Sequence, residues 1–224
     1  PDYTSHVDYS ADEVPEKLAA PPLREKIRSF LIPRGFSETM NQNMTSPVLA
    51  KIFTGKPVEI ANPLGEEISV LRPSLAPSML KTTEWNLRFG NKDLRLFEIG
   101  KTFHTANDKE SSFVPGILEK SCLMVCTTGS TAPTHWSPEK RDADFYDIKG
   151  TAEDLFEFFR IPGIKFKANN EESPVFSKNS MKILLKKKNI GFFGSVKKEM
   201  LKKFDIENEV YLLEIDLSEL YGIK

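Results

Sequence analysis

Asn62 to Leu80 reads NPLGEEISVLRPSLAPSML, and Arg95 to Phe103 reads RLFEIGKTF. From Ser74 onward, Leu75, Met79, Leu80 and Leu87 recur at broadly helical spacing. Pro77 is confined to the first turn and Gly90 lies beyond the end, so the pattern predicts a helix over 74–89. Leu94 to Phe103 sets Leu94, Leu96, Glu98 and Gly100 against Arg95, Phe97, Ile99 and Lys101, the period of two of a strand. Two charges interrupt these apolar patterns. Arg72, between Leu71 and Pro73, must hold its charge beside an apolar stretch. That favours a structural fork onto a carboxylate or a backbone carbonyl over a clamp on substrate. Glu98, set among Leu94, Leu96 and Gly100, invites pairing with an arginine.

Toward the N-terminus, Leu23, Ile27, Phe30 and Leu31 fall on one stripe of a helix that begins near Pro22 and is stopped by Pro33 and Gly35. Phe36 to Met44 alternates weakly as a strand. Ser46-Pro47 offers an N-cap with Pro at the first helical position for a short helix through Phe53, and Pro57 to Ala61 reads as another strand. Toward the C-terminus, Ile117 to Thr127 reads as a strand antiparallel to Leu94–Phe103. Asp147 to Arg160 is an amphipathic helix through Ile148, Ala152, Leu155, Phe156 and Phe159. Then come strands over 165–168 and 181–186, a turn at Lys188-Asn189, a strand over 190–196, a short helix over 197–204 and a strand over 210–215. Strands clustered without regular βα alternation imply an α+β fold with a mostly antiparallel β-sheet flanked by helices.

The first 21 residues are rich in charge and end against prolines. They read as a linker from an upstream domain, with Pro1 a cut inside a longer polypeptide, and residues 22–224 form one domain. A hydrophobic share of 39% supports a sizeable core, and a formal charge of −1 argues against a surface wholly devoted to nucleic acid. Sixteen phenylalanines have no polar handle and must pack in a core or against another chain. Cys122 and Cys126 sit on one strand face about 13 Å apart, too far for a bridge. They read as buried free thiols. With no signal peptide and no apolar run near ~18 residues, the expectation is a cytoplasmic protein with no membrane role.

The search for chemistry predicts no catalytic, cofactor-binding or metal-binding residue. His6, His104 and His135 lie in the linker or in and beside loops, away from any nucleophile context. Phosphate-binding glycine motifs are absent, and Gly191 to Gly194 (GFFG) suits a strand. Asp142, Asp144 and Asp147 resemble a cation site less than a helix cap, for which Asp147 or Asp144 is placed. Lysines 186–188, 197, 198, 202 and 203 form one basic concentration, a solvated face or, in the minority reading, part of an RNA contact through the lysines from Lys182 to Lys203.

Several blocks, in order, resemble one family. PPLREKIRSFLIPRGFSETMNQNMTSP looks like the opening of the synthetase-like core of bacterial phenylalanyl-tRNA synthetase β subunits, the counterpart of the dimerising first motif of class II synthetases. NPLGEEISVLRPSLAPSMLKTTEWNLRFG is similar to the family's N-P-L-S-x-E-x-S-x-L-R-x-S-L-x-P-x-L-L block, and KDLRLFEIGKTFH to its F-E-I-G strand. RDADFYDIKGTAEDLFEFF resembles the D-F-F-D-L-K-G-x-V-E helix entrance. The stretch from Asn189 to Leu220 resembles the closing G-x-x-G-x-x-H-P and E-x-D-L segment. Gly65 replaces the usual Ser, Pro73 stands where Thr or Ser is common, and Lys197-Lys198 replaces His-Pro.

The resemblance implies a class II aminoacyl-tRNA synthetase-like domain that has lost catalytic residues. It implies a scaffold for the α subunit and the heterotetramer in ATP-dependent charging of tRNA(Phe), with ATP and Mg2+ bound elsewhere in the whole enzyme. Leu23, Ile27, Phe30, Asn62, Pro63, Arg72, Glu98 and Asp147 are then the candidate scaffold and interface residues. The alternatives are a stand-alone carboxylate-activating enzyme, for which Arg72 or Arg95 would have to clamp phosphates, and an RNA-binding module using the C-terminal lysines.

Overall fold

The computed structural model describes residues 22–107, 114–131 and 141–220. The linker, His6 and His135 lie outside them. In chain order the elements are α1 (Leu23–Leu31), β1 (Ser37–Glu38), β2 (Met44–Thr45), α2 (Pro47–Ala50), β3 (Val58–Glu59), β4 (Val70–Leu71) and α3 (Ala76–Arg88). There follow β5 (Leu94–Thr105), β6 (Ile117–Thr128), α4 (Phe145–Phe158), β7 (Ile164–Ala168), β8 (Phe176–Leu185), β9 (Lys188–Val196), α5 (Lys198–Lys202) and β10 (Val210–Asp216).

A seven-stranded sheet in the order β1-β5-β6-β10-β9-β8-β7 dominates. It is antiparallel throughout except where β1 joins β5 in parallel, and a small antiparallel sheet β2-β4-β3 sits beside it. The expected mostly antiparallel α+β architecture is therefore present. The segment expected as one strand over 36–44 splits instead. Ser37–Glu38 joins the large sheet and Met44–Thr45 the small one, because Gly35 turns the chain in the left-handed region (φ 82°) and only two residues fit beside β5. The β8–β9 hairpin turns at Lys186 and Lys187, both with positive φ (49° and 82°), rather than at Lys188-Asn189. Two positive φ values match the right-handed strand twist, so the ladder overrides the lysines' own preference. Strand β8 begins at Phe176, not Met181, extended by pairing to Val196 across an irregular register.

Helix α4 starts at Phe145, two residues before the expected entrance. Asp144 is its N-cap, accepting from the amides of Tyr146 and Asp147, while Asp147 returns a bond from the Asp144 amide, a reciprocal capping box. Helices α1 and α4 cover one face of the large sheet. Ile27, Phe30, Leu31, Ile148, Ala152 and Leu155 pack onto Phe97, Leu123, Leu213 and Phe193 from the strands. The other face is covered at one end by α3 and α5 through Leu75, Met79, Leu80, Met200 and Leu201, against Leu96, Met124, Cys126 and Leu212. At its other end that face borders a cleft lined also by Phe53 and by the loop before β8, from Asn169 to Val175. Among the described residues no helix is long and apolar enough to cross a membrane.

Candidate functional site

Strand register decides what the open face presents. Residues directly opposite in a ladder share a face, and one row runs Glu98, Met124, Glu214, Phe192, Lys182, Lys167 across six strands. The next rows hold Gly100, Cys122 and Asp216, then Thr102 and Lys120. The interior of this face therefore carries charge, whereas the helix-covered side is apolar in its central rows, with Arg95 and Lys101 flanking Phe97 and Ile99 on β5.

In the open half, Lys120 Nζ lies 2.9 Å from Asp216 Oδ2, and Lys182 pairs with Glu171 from the loop before β8. Burial works against the Lys120 charge, but Asp216 outweighs it and holds the ammonium above its ordinary value. Glu214 accepts from Ser74 Oγ at 3.2 Å, yet burial, with the nearby Asp216 charge, pushes its carboxyl up to about 7. Burial likewise pushes Cys122 up to about 12, with the Glu214 charge adding to it, so this thiol is no nucleophile. Cys126, also buried, is raised to about 12. His104, lowered by burial and by Lys120, is a neutral ring beside Thr102. The cleft thus offers a carboxyl able to exchange its proton near neutrality. Among the described residues no arginine lines it, and its carboxylates with Lys120 already paired to Asp216 do not fit a triphosphate. Among the described residues no group of three or more His, Cys, Asp or Glu is placed to hold a metal.

At the closed end, Arg72 leaves β4 and turns under α3. Its Nη1 stands 2.7 Å from Glu98 Oε1, with both side chains 3% exposed. Nε donates to the Lys101 carbonyl at 3.0 Å, Nη1 to Ser78 Oγ at 3.2 Å and Nη2 to Asn43 Oδ1 at 3.1 Å. The second Glu98 oxygen accepts from Asn41 Nδ2 at 2.7 Å, and Asn41 Oδ1 accepts from Thr82 at 2.8 Å. Gly100 is required here, since a Cβ would run into Arg72 Nη2, Glu98 Oε1 and Leu75. This network ties the small sheet, α3 and β5 into one corner. Arg95, on the helix-covered face with Phe97 and Ile99, donates to the carbonyls of Arg34 and Thr131. Both arginines that a carboxylate-activating enzyme would need are therefore held by protein, and they lie on opposite faces of β5.

The remaining candidates separate. Ile27 and Phe30 are buried against the sheet with Leu23 packed at their edge, so the α1 stripe faces inward. Arg28 forks onto both Glu38 oxygens at 2.7 Å, and Arg24 Nη2 donates to the Ile99 carbonyl at 2.6 Å. Asn62 and Pro63 are exposed in the loop after β3. Asp147 is the third helical residue of α4 and takes both terminal nitrogens of Arg141 at 2.7 Å. Burial opposes its charge, but Arg141 and the Asp144 amide keep its carboxyl below the usual range.

Glu214 was not singled out from the sequence. The signal was available in Leu212, Glu214 and Asp216, which alternate with Leu213 and Ile215 and so put two acids on one strand face. Exposed apolar side chains in the N-terminal half include Met40 (91%), Val48 (76%), Leu64 (92%), Trp85 (58%) and Phe89 (66%), and Val114, Tyr146 and Phe158 are exposed farther along the chain. The Trp85 and Phe89 rings lie 4.8 Å apart, and Trp85 borders a cavity of about 570 Å³ with Met44, Leu49, Ile68 and Pro77.

A family model described as the phenylalanyl tRNA synthetase beta chain CLM domain matches residues 11–217. The chain is similar to phenylalanine–tRNA ligase beta subunits of Salinibacter ruber (29% identical over 92% of this chain and 26% of the relative) and Syntrophus aciditrophicus (34%, 89% and 26%). It is similar also to that of Shouchella clausii (31%, 96% and 28%). It spans about a quarter of the length of these curated relatives. Among solved structures, pyrrolysyl tRNA synthetase from Desulfitobacterium hafniense superimposes with TM-score 0.64 at 19% identity, covering 88% of this chain and 66% of that one. This likeness places the fold in the class II synthetase-like group.

Proposed function

We infer the role of this chain from one premise: it belongs to the family of the phenylalanyl tRNA synthetase beta chain CLM domain. On that premise it is a non-catalytic, synthetase-like scaffold of a cytoplasmic phenylalanine–tRNA ligase. It packs against the α subunit and supports a heterotetramer that charges tRNA(Phe), with ATP and Mg2+ handled elsewhere in that enzyme. The observation that carries this is the pairing of a closed corner with an apolar outer surface. Arg72 is consumed by Glu98, Asn43, Ser78 and a carbonyl. Trp85 on α3 and Phe89 at its C-cap lie exposed with their rings 4.8 Å apart, and Met40 and Val48 are exposed in the same half of the chain, apolar surface suited to meeting another chain. Leu64, in the loop with Asn62 and Pro63, is exposed as well.

The stand-alone carboxylate-activating reading is not favoured, because neither Arg72 nor Arg95 reaches the cleft. The RNA reading keeps one supporting feature: Lys165, Lys167 and Lys182 share a face near the β7 edge, next to Lys186 and Lys187 at the turn. Sedimentation of the full-length β chain with its α partner tests the scaffold. Trp85→Asp with Val48→Asp is expected to weaken association at least tenfold. Undiminished association by the double variant, or none by the unaltered chain, would sink the reading.

A further inference from the structure

The open half of the cleft face encloses a cavity of about 360 Å³, the lower end of the size range for small-molecule sites. Glu214 lies among its lining residues, held from the start of α3 by the Ser74 hydroxyl and the Leu75 amide. One wall is aromatic: the Phe176 and Phe192 rings stack 6.0 Å apart at 28°, and Phe192 is the cross-strand neighbour of Glu214. The basic groups nearby are already matched, Lys120 by Asp216 and Lys182 by Glu171. Glu214 and Glu172 therefore set the sign of the cavity. A carboxylate beside aromatic faces repels anions and attracts a cation that carries apolar surface.

We propose that this cavity binds a small organic cation, its ammonium hydrogen-bonded to Glu214 and its apolar part against Phe192 and Phe176. The inference stands on the cavity and is independent of which chain the apolar outer surface meets.

Binding has a proton signature. Free Glu214 is held near its midpoint at about 7, and an ammonium partner favours the ionised form, so the complex forms with release of a proton from Glu214. The titratable and charged groups facing it are Asp216 on β10, Lys120 and Cys122 on β6, and His104 on β5. Glu98 with Arg72 lies one row position beyond Met124, Lys182 lies beyond Phe192 on β8, and Glu171 and Glu172 sit in the loop before β8. His104 and Cys122 shift away from neutrality in opposite directions, so Glu214 dominates the window around neutral pH.

Benzylammonium is the probe, with benzyl alcohol as uncharged control and benzoate as anionic control. Each is titrated calorimetrically into the full-length chain in two buffers of different ionisation enthalpy. The expected result is benzylammonium binding about tenfold weaker at roughly pH 6 than at roughly pH 8, with proton release, and no such dependence for benzyl alcohol. Glu214→Gln is expected to abolish the pH dependence and cut affinity at least tenfold while keeping the fold. Phe192→Leu, which keeps the volume roughly but removes the π-face, is expected to cut affinity severalfold. Equal binding of benzyl alcohol, binding of benzoate in preference, an unchanged Glu214→Gln, or no benzylammonium binding at the higher pH would each overturn the proposal.

Discussion

The two faces of the large sheet come from the same strands and obey opposite rules. Under α1 and α4 the central rows are Phe97, Val125, Leu213, Phe193 and Ile99, Leu123, Ile215, apolar and buried. On the other face the same ladder brings Glu98, Glu214 and Lys182 into one row with Met124 and Phe192. The first face depends on packing, in which every methylene is in contact and vacancies are costly. The second depends on charges that are each met by a specific partner, and where the partners are neutral, as the Ser74 hydroxyl and the Leu75 amide are for Glu214, burial raises the carboxyl to about 7. One sheet thus separates stability from potential chemistry.

The largest test of the contrast is on the packed face. Phe193→Ala removes a ring that is 0% exposed and is expected to cost about 4 kcal/mol, read by urea unfolding. A loss below about 1 kcal/mol would show that the face relaxes like a loose surface. Next is the charged face at its closed end. Arg72→Met strands a buried Glu98 and is expected to cost about 3 kcal/mol, whereas Arg72→Met with Glu98→Leu recovers most of it. Recovery is what distinguishes a satisfied ion pair from ordinary packing, and a double variant no better than the single one would erase that distinction.

The smallest test is a slope. Between the ordinary carboxyl value of 4.5 and the folded value of about 7, the folded chain holds a proton on Glu214 that the unfolded chain has lost. Stability from this group therefore falls as pH rises from about 4.5 to about 7 and levels beyond, and Glu214→Gln removes that part of the slope. Asp147 acts in the opposite sense. Its lowered value gives stability that is present above 3.8 and lost as pH falls through the folded value. A stability profile unchanged by Glu214→Gln would place that carboxyl with the ordinary surface acids.

Much of the fold was legible residue by residue. The stripe Leu23, Ile27, Phe30, Leu31, the alternation of 94–103 and the amphipathic run after Asp147 each carry their period within a few side chains, and all three elements are present. The ends were less legible. Of the two cap candidates Asp144 and Asp147 it is Asp144 that reaches the free amides, so α4 starts at Phe145 rather than Asp147, and the hairpin turn moved to Lys186-Lys187 because register is decided by the partner strand. At the candidate site, the tension of Arg72 and Glu98 inside apolar runs was visible. Their union, 26 residues apart, and the Asn41, Asn43, Ser78 and Thr82 groups that complete it were not.

The sequence by itself determined the class of fold and the family, because hydrophobic period and ordered motif blocks are local properties of a chain. Only the tertiary structure decided that Glu214 would share a row with Phe192 and open onto a cavity, and that Arg72 would be closed off by protein. Those outcomes depend on strand order and register, which bring together residues from 98, 124, 192 and 214 that no local pattern relates.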